Sequence, residues 1–188
     1  MWTSMQPRPE GPRAPVLETS RLVLRSHRIE DLADCVAMWS DPRITRYTIG
    51  SPSPPPRTWA RILAYLGHWS LLGFGYWAVE DKSTGRYIGE LGFADFKREL
   101  DPSLDGFPEL GWALAAHAHG KGLATEALRA AVAWADAHLA ATRTVCIISP
   151  DNPASLRVAE KLGYREYART TKDKEAEILL ERAAVANT

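Results

Sequence analysis

An excess of either charge is missing from this chain. Its 188 residues carry 23 Lys and Arg against 23 Asp and Glu, so net charge gives no reason to expect nucleic acid or an anionic membrane as a partner. Cysteine is scarce as well. Cys35 and Cys146 are too few and too far apart for a disulfide or zinc framework, and each lies among apolar residues, as core thiols in a reducing, cytoplasmic setting do. No apolar run approaches the roughly 20 residues a membrane span needs. The opening MWTSMQPRPEGPRAP has prolines and arginines where a signal peptide would have its hydrophobic segment. Residues 1–15 are therefore expected to be a flexible tail, 16–182 one folded domain and 183–188 a second tail. Internal repeats are lacking too, and the length suits a single core.

What is present is a regular alternation of element signals. RLVLRSH, from Arg21, alternates as a strand, and the following HRIEDLADCVAMWSD places Leu32, Cys35, Val36 and Trp39 at helical spacing. SPSPPP (51–56) reads as a stiff extended break, with a helix over about 57–69. GYWAVED and GRYIGELGFADF, joined by DKSTG, and then FPELGWALAA read as successive antiparallel strands. A helix carrying Leu123, Ala127, Ala130, Ala131, Trp134 and His138 on one stripe ends before Thr142, and RTVCIIS is a buried strand. NPASLRVAEKLG is a helix with Asn152 as cap, Pro153 in first position and Gly163 as stop; YREYART and EAEILLER close the chain as strands. An antiparallel meander followed by strand, helix, strand, helix requires a parallel pairing with a right-handed crossover. The expected fold class is α/β: a single-domain, mixed, mostly antiparallel twisted sheet of about seven strands with about four helices.

HAHGKGLATEAL (117–128) places two glycines around a lysine at a strand-to-helix junction, where free main-chain amides can hold an anion. The spacing of a nucleotide P-loop is absent. A dinucleotide fingerprint fails as well, because Thr125 stands where its last glycine belongs and the unit lies late in the chain, although Asp151 could mimic the ribose ligand. His117 and His119 lack further ligands at sensible spacing, so no metal is expected. Taken alone, the glycines could also be a mere connector.

A second cluster lies about thirty residues on: Asn152-Pro153-Ala154-Ser155, then Arg157-Val158-Ala159-Glu160-Lys161-Leu162-Gly163-Tyr164. With LETSRLVLR, SDPRITRY, YIGELGF and ELGWAL, these segments resemble the GNAT superfamily of acyl-coenzyme A-dependent N-acyltransferases, in its Rim-type branch, which includes ribosomal-protein N-terminal acetyltransferases. The resemblance covers roughly residues 16–182. The family's Q/R-x-x-G-x-G/A motif maps onto His117 to Gly122, with His117 departing at its first position. It implies acetyl-CoA as acyl donor. The diphosphate would rest on His119, Gly120, Lys121, Gly122, Leu123, Ala124 and Thr125, and the pantetheine arm would run along Trp112, Ala113 and Leu114, entering where that strand splays from RTVCIIS. Asn152 would bind the arm while also capping its helix.

Acyl transfer from a thioester to an amine needs a neutral nucleophile, a polarised carbonyl and a proton for the departing thiolate. Glu109, on the same strand face as Gly111 and matching the family's E-[IL]-G-[YW] segment, is the first candidate base; Glu90 is the reserve. Ser155 is the candidate for hydrogen-bonding or protonating the leaving sulfur, or else a first-turn serine that helps cap its helix. Many superfamily members carry a tyrosine acid where this chain has Ala159. An α-amine, with a pKa of about 7.8, is roughly 15% neutral at pH 7 against about 0.04% for lysine, so an N-terminal acceptor needs only a modest base.

The resemblance thus implies an amine-bearing peptide or protein as partner, its wall formed by ITRYTIGSPSPPPRTW, with Arg43, Arg46 and Tyr47 available to an anion or a peptide backbone. EAEILLER lacks the aromatic that often lines the peptide pocket in this branch, which keeps open a small molecule (amino acid, polyamine or aminoglycoside) and a non-catalytic acyl-CoA-binding module. The chain is expected to act as a monomer or homodimer.

Overall fold

The computed structural model describes residues 13–172 and 175–185. Strands β1 (Leu17–Glu18), β2 (Leu22–Arg25), β3 (Tyr76–Asp81), β4 (Arg86–Ala94), β5 (Glu109–Leu114), β6 (Arg143–Ile148), β7 (Arg165–Lys172) and β8 (Glu175–Ala183) form one sheet in the order β1-β2-β3-β4-β5-β6-β8-β7. Every pairing is antiparallel except β5 with β6. The helices are α1 (Leu32–Trp39), α2 (Pro42–Thr45), α3 (Pro55–Leu72), α4 (Leu123–His138) and α5 (Pro153–Lys161). The expected mixed sheet is found, with one more strand and one more helix than the pattern suggested. The additions are the two-residue β1 and the single turn α2, both too short to leave a periodic signal.

Side chains alternate across the sheet and sort into two cores. Leu22, Leu24, Val79, Leu91, Leu110 and Leu114 pack with Leu123, Ala127, Leu128 and Ala131 of α4 and with Ala159 and Leu162 of α5. On the other face Ala78, Tyr87 and Ala113 meet Cys35, Met38 and Trp39 of α1, Ile44 of α2 and Ile62 of α3. Both cysteines are free and buried; burial first, and then the Glu90 charge, push the Cys35 thiol up to about 12, which leaves it unreactive.

Helix α3 begins inside the proline run, two residues earlier than expected. Pro55 and Pro56 occupy its first turn, where no amide hydrogen bond is needed and the fixed φ already suits a helix, so only 51–54 form the extended break. The domain is also wider than expected. Ala14 is buried, its amide donates to Ser26 Oγ (2.9 Å), and Trp77 Nε1 donates to the Pro15 carbonyl (2.8 Å), so these two residues belong to the fold. At the other end β8 includes Ala183, and the Ala184 amide donates to the Thr142 carbonyl (2.9 Å). The remainder of both expected tails, 1–12 and 186–188, lies outside the described residues.

Two local features prepare a site. Strands β5 and β6 share a single register pair, Glu109 with Val145, whereas β4 and β5 share six. The two parallel strands therefore part after Glu109. Between β3 and β4 the register slips at Val79 and Glu80, leaving Ile88 of β4 without a partner residue in β3. That bulge lets Tyr87 and Glu90, three residues apart, face α1 together.

Candidate active site

The parting of β5 and β6 exposes backbone. Because the Ala115 amide donates to the Ile88 carbonyl, the odd-numbered residues of β5 turn their backbone groups toward β4 and the even-numbered ones turn away. Trp112 and Leu114 thus present theirs to the gap. The Leu114 carbonyl is taken by His119 Nε2, which donates to it at 2.8 Å and fastens the glycine loop to the strand. The Ala113 backbone is committed to β4. Of the three residues expected to pair with a pantetheine arm, Trp112 offers both groups, Leu114 only its amide, and Ala113 none.

Beyond the strand, Gly120 and Gly122 have φ of 73° and 76°, the left-handed region that glycine enters without steric cost. The His119 amide already donates to the Ala116 carbonyl (3.2 Å), so the expected free set starts one residue later. The amides of Gly120 to Thr125 find no partner among the described residues; Glu126, bonded to the Gly122 carbonyl (3.1 Å), begins the helical ladder. Six free amides at the N-terminus of a 16-residue helix make an anion cradle.

The loop is buttressed from behind. The Glu126 carboxylate accepts from Thr19 Oγ1 (2.6 Å), Ser20 Oγ (3.0 Å), the Arg21 amide (2.9 Å) and the Arg21 guanidinium, which also reaches the Lys121 carbonyl (3.0 Å). Burial alone would raise this carboxyl, but those bonds hold it down at about 2.

A groove of about 410 Å³ runs along these elements, lined by Trp112, Ala113, Leu114, His119, Gly120, Gly122, Leu123, Ala124, Thr125, Asn152 and Ser155. Every residue expected to hold the donor borders it except Lys121, which is exposed and contributes its backbone alone. His117 is exposed and away from the groove. Asn152 caps α5 by accepting from the Ser155 amide (3.1 Å), which leaves its Nδ2 and the Ser155 hydroxyl without a partner among the described residues. The capping alternative for Ser155 therefore falls to Asn152.

A second, tighter cavity of about 150 Å³ adjoins the groove at β5, lined by Trp39, Arg61, Tyr65, Tyr76, Arg98 and both glutamates among others. The two spaces share Tyr47, Thr48, Trp112, Ala113, Asn152 and Ser155. Both oxygens of Glu109 accept from Arg98, Oε2 from Nε (2.7 Å) and Oε1 from Nη2 (2.9 Å). Glu90 is fully buried and accepts from Trp39 Nε1 (3.0 Å), Tyr65 hydroxyl (2.6 Å) and Tyr87 hydroxyl (2.8 Å), with His27 Nε2 at 3.7 Å. Burial pushes its carboxyl up, but His27, Tyr65 and the nearby Arg61 charge outweigh it and hold the group below the usual carboxylate range. Gly111 admits the Tyr76 hydroxyl into the space a β-carbon would fill.

Two spaces meeting at one strand, one of them with a cradle for a diphosphate, are what a two-substrate transferase requires. A model of the acetyltransferase (GNAT) domain matches residues 21–165. The chain belongs to the GNAT acetyltransferase family. A solved chain from Bordetella pertussis assigned to the same family is 35% identical, covers 90% of this chain and 100% of its own length, and superposes with a TM-score of 0.80. An acetyltransferase from Agrobacterium tumefaciens strain C58 is 29% identical with a TM-score of 0.77, covering 90% of this chain and 94% of its own. An uncharacterized N-acetyltransferase of Bacillus licheniformis, p20, is 27% identical over 151 residues, 80% of this chain and 82% of the relative.

As a GNAT acetyltransferase, the protein is an acetyl-CoA-dependent acyltransferase, and the groove's residues fit that donor: free amides for the phosphates and an unpaired strand edge for an amide-bearing arm. None of the described helices is long and apolar enough to cross a membrane. Among the described residues, no three His, Cys, Asp or Glu side chains cluster as metal ligands do.

Several residues of this GNAT site carry no local motif. Arg98 reaches Glu109 across eleven residues of irregular chain, and Arg21 reaches Glu126 across 105. Arg61 could have been noticed, since it lies four residues before Tyr65 on the same face of a helix that carries no acidic residue. Of the cations expected near the acceptor, Arg43 is bound to Asp41 (2.6 Å) and borders the donor groove, while Arg46 and Tyr47 line an open cleft of about 630 Å³ beside the tight cavity.

Proposed function

We propose that this GNAT acetyltransferase moves an acetyl group from acetyl-CoA directly to a primary amine in a ternary complex, with the α-amine of a peptide or protein N-terminus as acceptor. The observation that carries the reading is the meeting of the donor groove with a separate cavity at Trp112, Ala113, Asn152 and Ser155, which gives both substrates access to one point beside β5. Acetyl-CoA supplies an activated thioester carbonyl. The amides of Gly120 to Thr125 hold its phosphates, the Trp112 backbone and Asn152 Nδ2 align the arm, and the Ser155 hydroxyl donates to the departing sulfur.

Glu109 accepts the amine's proton through a water, using the lone pairs its pairing with Arg98 leaves over. Glu90, with both oxygens engaged by neutral donors in the core, organises Trp39, Tyr65 and Tyr87 and takes no proton from the amine. The Rim-type wording of the motifs supports an N-terminal acceptor, and so does the cleft lined by Arg46, Tyr47, Asp151 and Glu175, which gives a chain somewhere to lie. The cavity's small volume favours a second reading, a free small amine. Thiol release from acetyl-CoA, measured over panels of peptides and small amines, tests the reaction. A peptide enzyme loses kcat when its substrate is cut to a free amino acid. Parallel-line kinetics would exclude the ternary complex, and absence of turnover on every amine would leave only a binding module.

A further inference from the structure

The acceptor cavity contains two guanidinium groups, and among the described residues only one is ion-paired with a carboxylate. Arg98 is paired with Glu109 through Nε and Nη2, and its Nη1 has no partner among the described residues. Arg61 lies over the Trp39 ring with its central carbon 3.9 Å from the centroid. Its single hydrogen bond is a long one, Nη1 to the Tyr65 hydroxyl at 3.5 Å, and its buried Nε has none. Among the described residues it makes no ion pair. Glu90 feels its charge but does not pair with it; the two share the Tyr65 hydroxyl as a contact. Glu177 borders both the cavity and the open cleft, and its charge is felt by Arg98. Tyr76, whose hydroxyl lies against Gly111 on β5, lines the same cavity as both arginines.

A half-buried guanidinium with unused donors is costly unless an acceptor arrives to meet it. Guanidinium forks suit carboxylate and phosphate oxygens, and the flat Trp39 and Tyr76 rings fix where such an anion can sit. With only about 150 Å³ available in the cavity, amine and anion must lie close together in the acceptor.

We propose that the acceptor carries an anionic group close to its reactive amine, and that Arg61 together with Arg98 Nη1 binds it. This rests on the acetyl-transfer reading above and narrows its acceptor. Two sources share the chemistry: the α-carboxylate of a free amino acid, and the side chain of an acidic first or second residue of a peptide.

Matched acceptor pairs decide it by kcat/KM with acetyl-CoA in the full-length protein: alanine against alaninamide for the first source, and peptides starting with Asp or Glu against those starting with Asn or Gln for the second. The expected result is at least about a tenfold preference for the anionic member in one set, with that set naming the source. Arg61→Gln should reduce the ratio to within about twofold of unity, and Arg61→Lys should restore part of it, as a charge without the fork does. Ratios near or below one in the unmodified protein for both sets would overturn the proposal, as would a ratio unchanged in Arg61→Gln. The unmodified protein alone decides the matter if that variant does not fold. Turnover of amines without charge preference would overturn this inference and leave the acetyl-transfer reading standing, whereas no turnover on any amine would remove both.

Discussion

Glu109 and Glu90 lie on neighbouring strands and on the same face of the sheet, yet their partners give them different work. Glu109 faces a single cation at the cavity wall; Glu90 is enclosed by three neutral donors and a histidine. Glu109→Gln should lower kcat by about 10²- to 10³-fold while leaving the affinity for CoA, measured by calorimetry, unchanged. Glu90→Gln should act on stability first, costing about 1–3 kcal/mol in urea unfolding, because an amide cannot accept from all of those donors. The folded protein holds the Glu90 and Glu126 carboxyls below their unfolded-state value of 4.5, so each contributes stability above that pH. For Glu126 the contribution should fade as pH falls from about 4.5 through about 2, and acid unfolding of Glu126→Gln should be correspondingly less steep over that window.

Elements meet at the glycine loop, and three of them hold it. Helix α4 supplies the amides, β5 is tied through His119 to Leu114, and the β1–β2 turn grips Glu126 by Thr19, Ser20 and Arg21. Gly122→Ala should cost about 1 kcal/mol, since its φ of 76° disfavours a β-carbon whose nearest neighbour, Arg21 Nη2 at 3.7 Å, is in ordinary contact. Arg21→Ala should weaken CoA binding several-fold by calorimetry without touching the groove, because the Lys121 carbonyl and Glu126 lose their anchor while every donor amide remains. Unchanged affinity in Arg21→Ala would show that the loop holds its form by itself.

On the scale of the whole molecule, the groove and the tight cavity adjoin at β5. The damage done by a substitution should depend on which of the two it borders. Gly120→Glu, at φ 73° and with open space around it, places a negative side chain where phosphates would rest and should abolish CoA binding. Gly111→Val displaces the Tyr76 hydroxyl in the tight cavity and should raise KM for the amine about tenfold or more while leaving the CoA dissociation constant within about twofold. Losses of both affinities in both variants would contradict two separable spaces.

The order of elements, the mixed sheet and the glycine cradle could be read from the chain because each is written locally: alternation for strands, helical stripes, Asn152-Pro153 at a helix start, and glycines where the backbone turns left-handed. The parting of β5 and β6 was likewise implied by the motifs on either side of it. Partnerships were not legible. Arg98 with Glu109, Arg21 with Glu126, the closing of Tyr65, Tyr87 and Trp39 around Glu90, and the stacking of Arg61 on Trp39 join residues from separate elements, and no spacing along a chain encodes a distance across a folded sheet. Local sequence sets the backbone conformation that makes a cradle, whereas which charged side chains share a cavity, and which of their donors stay unused, is decided only by the tertiary packing.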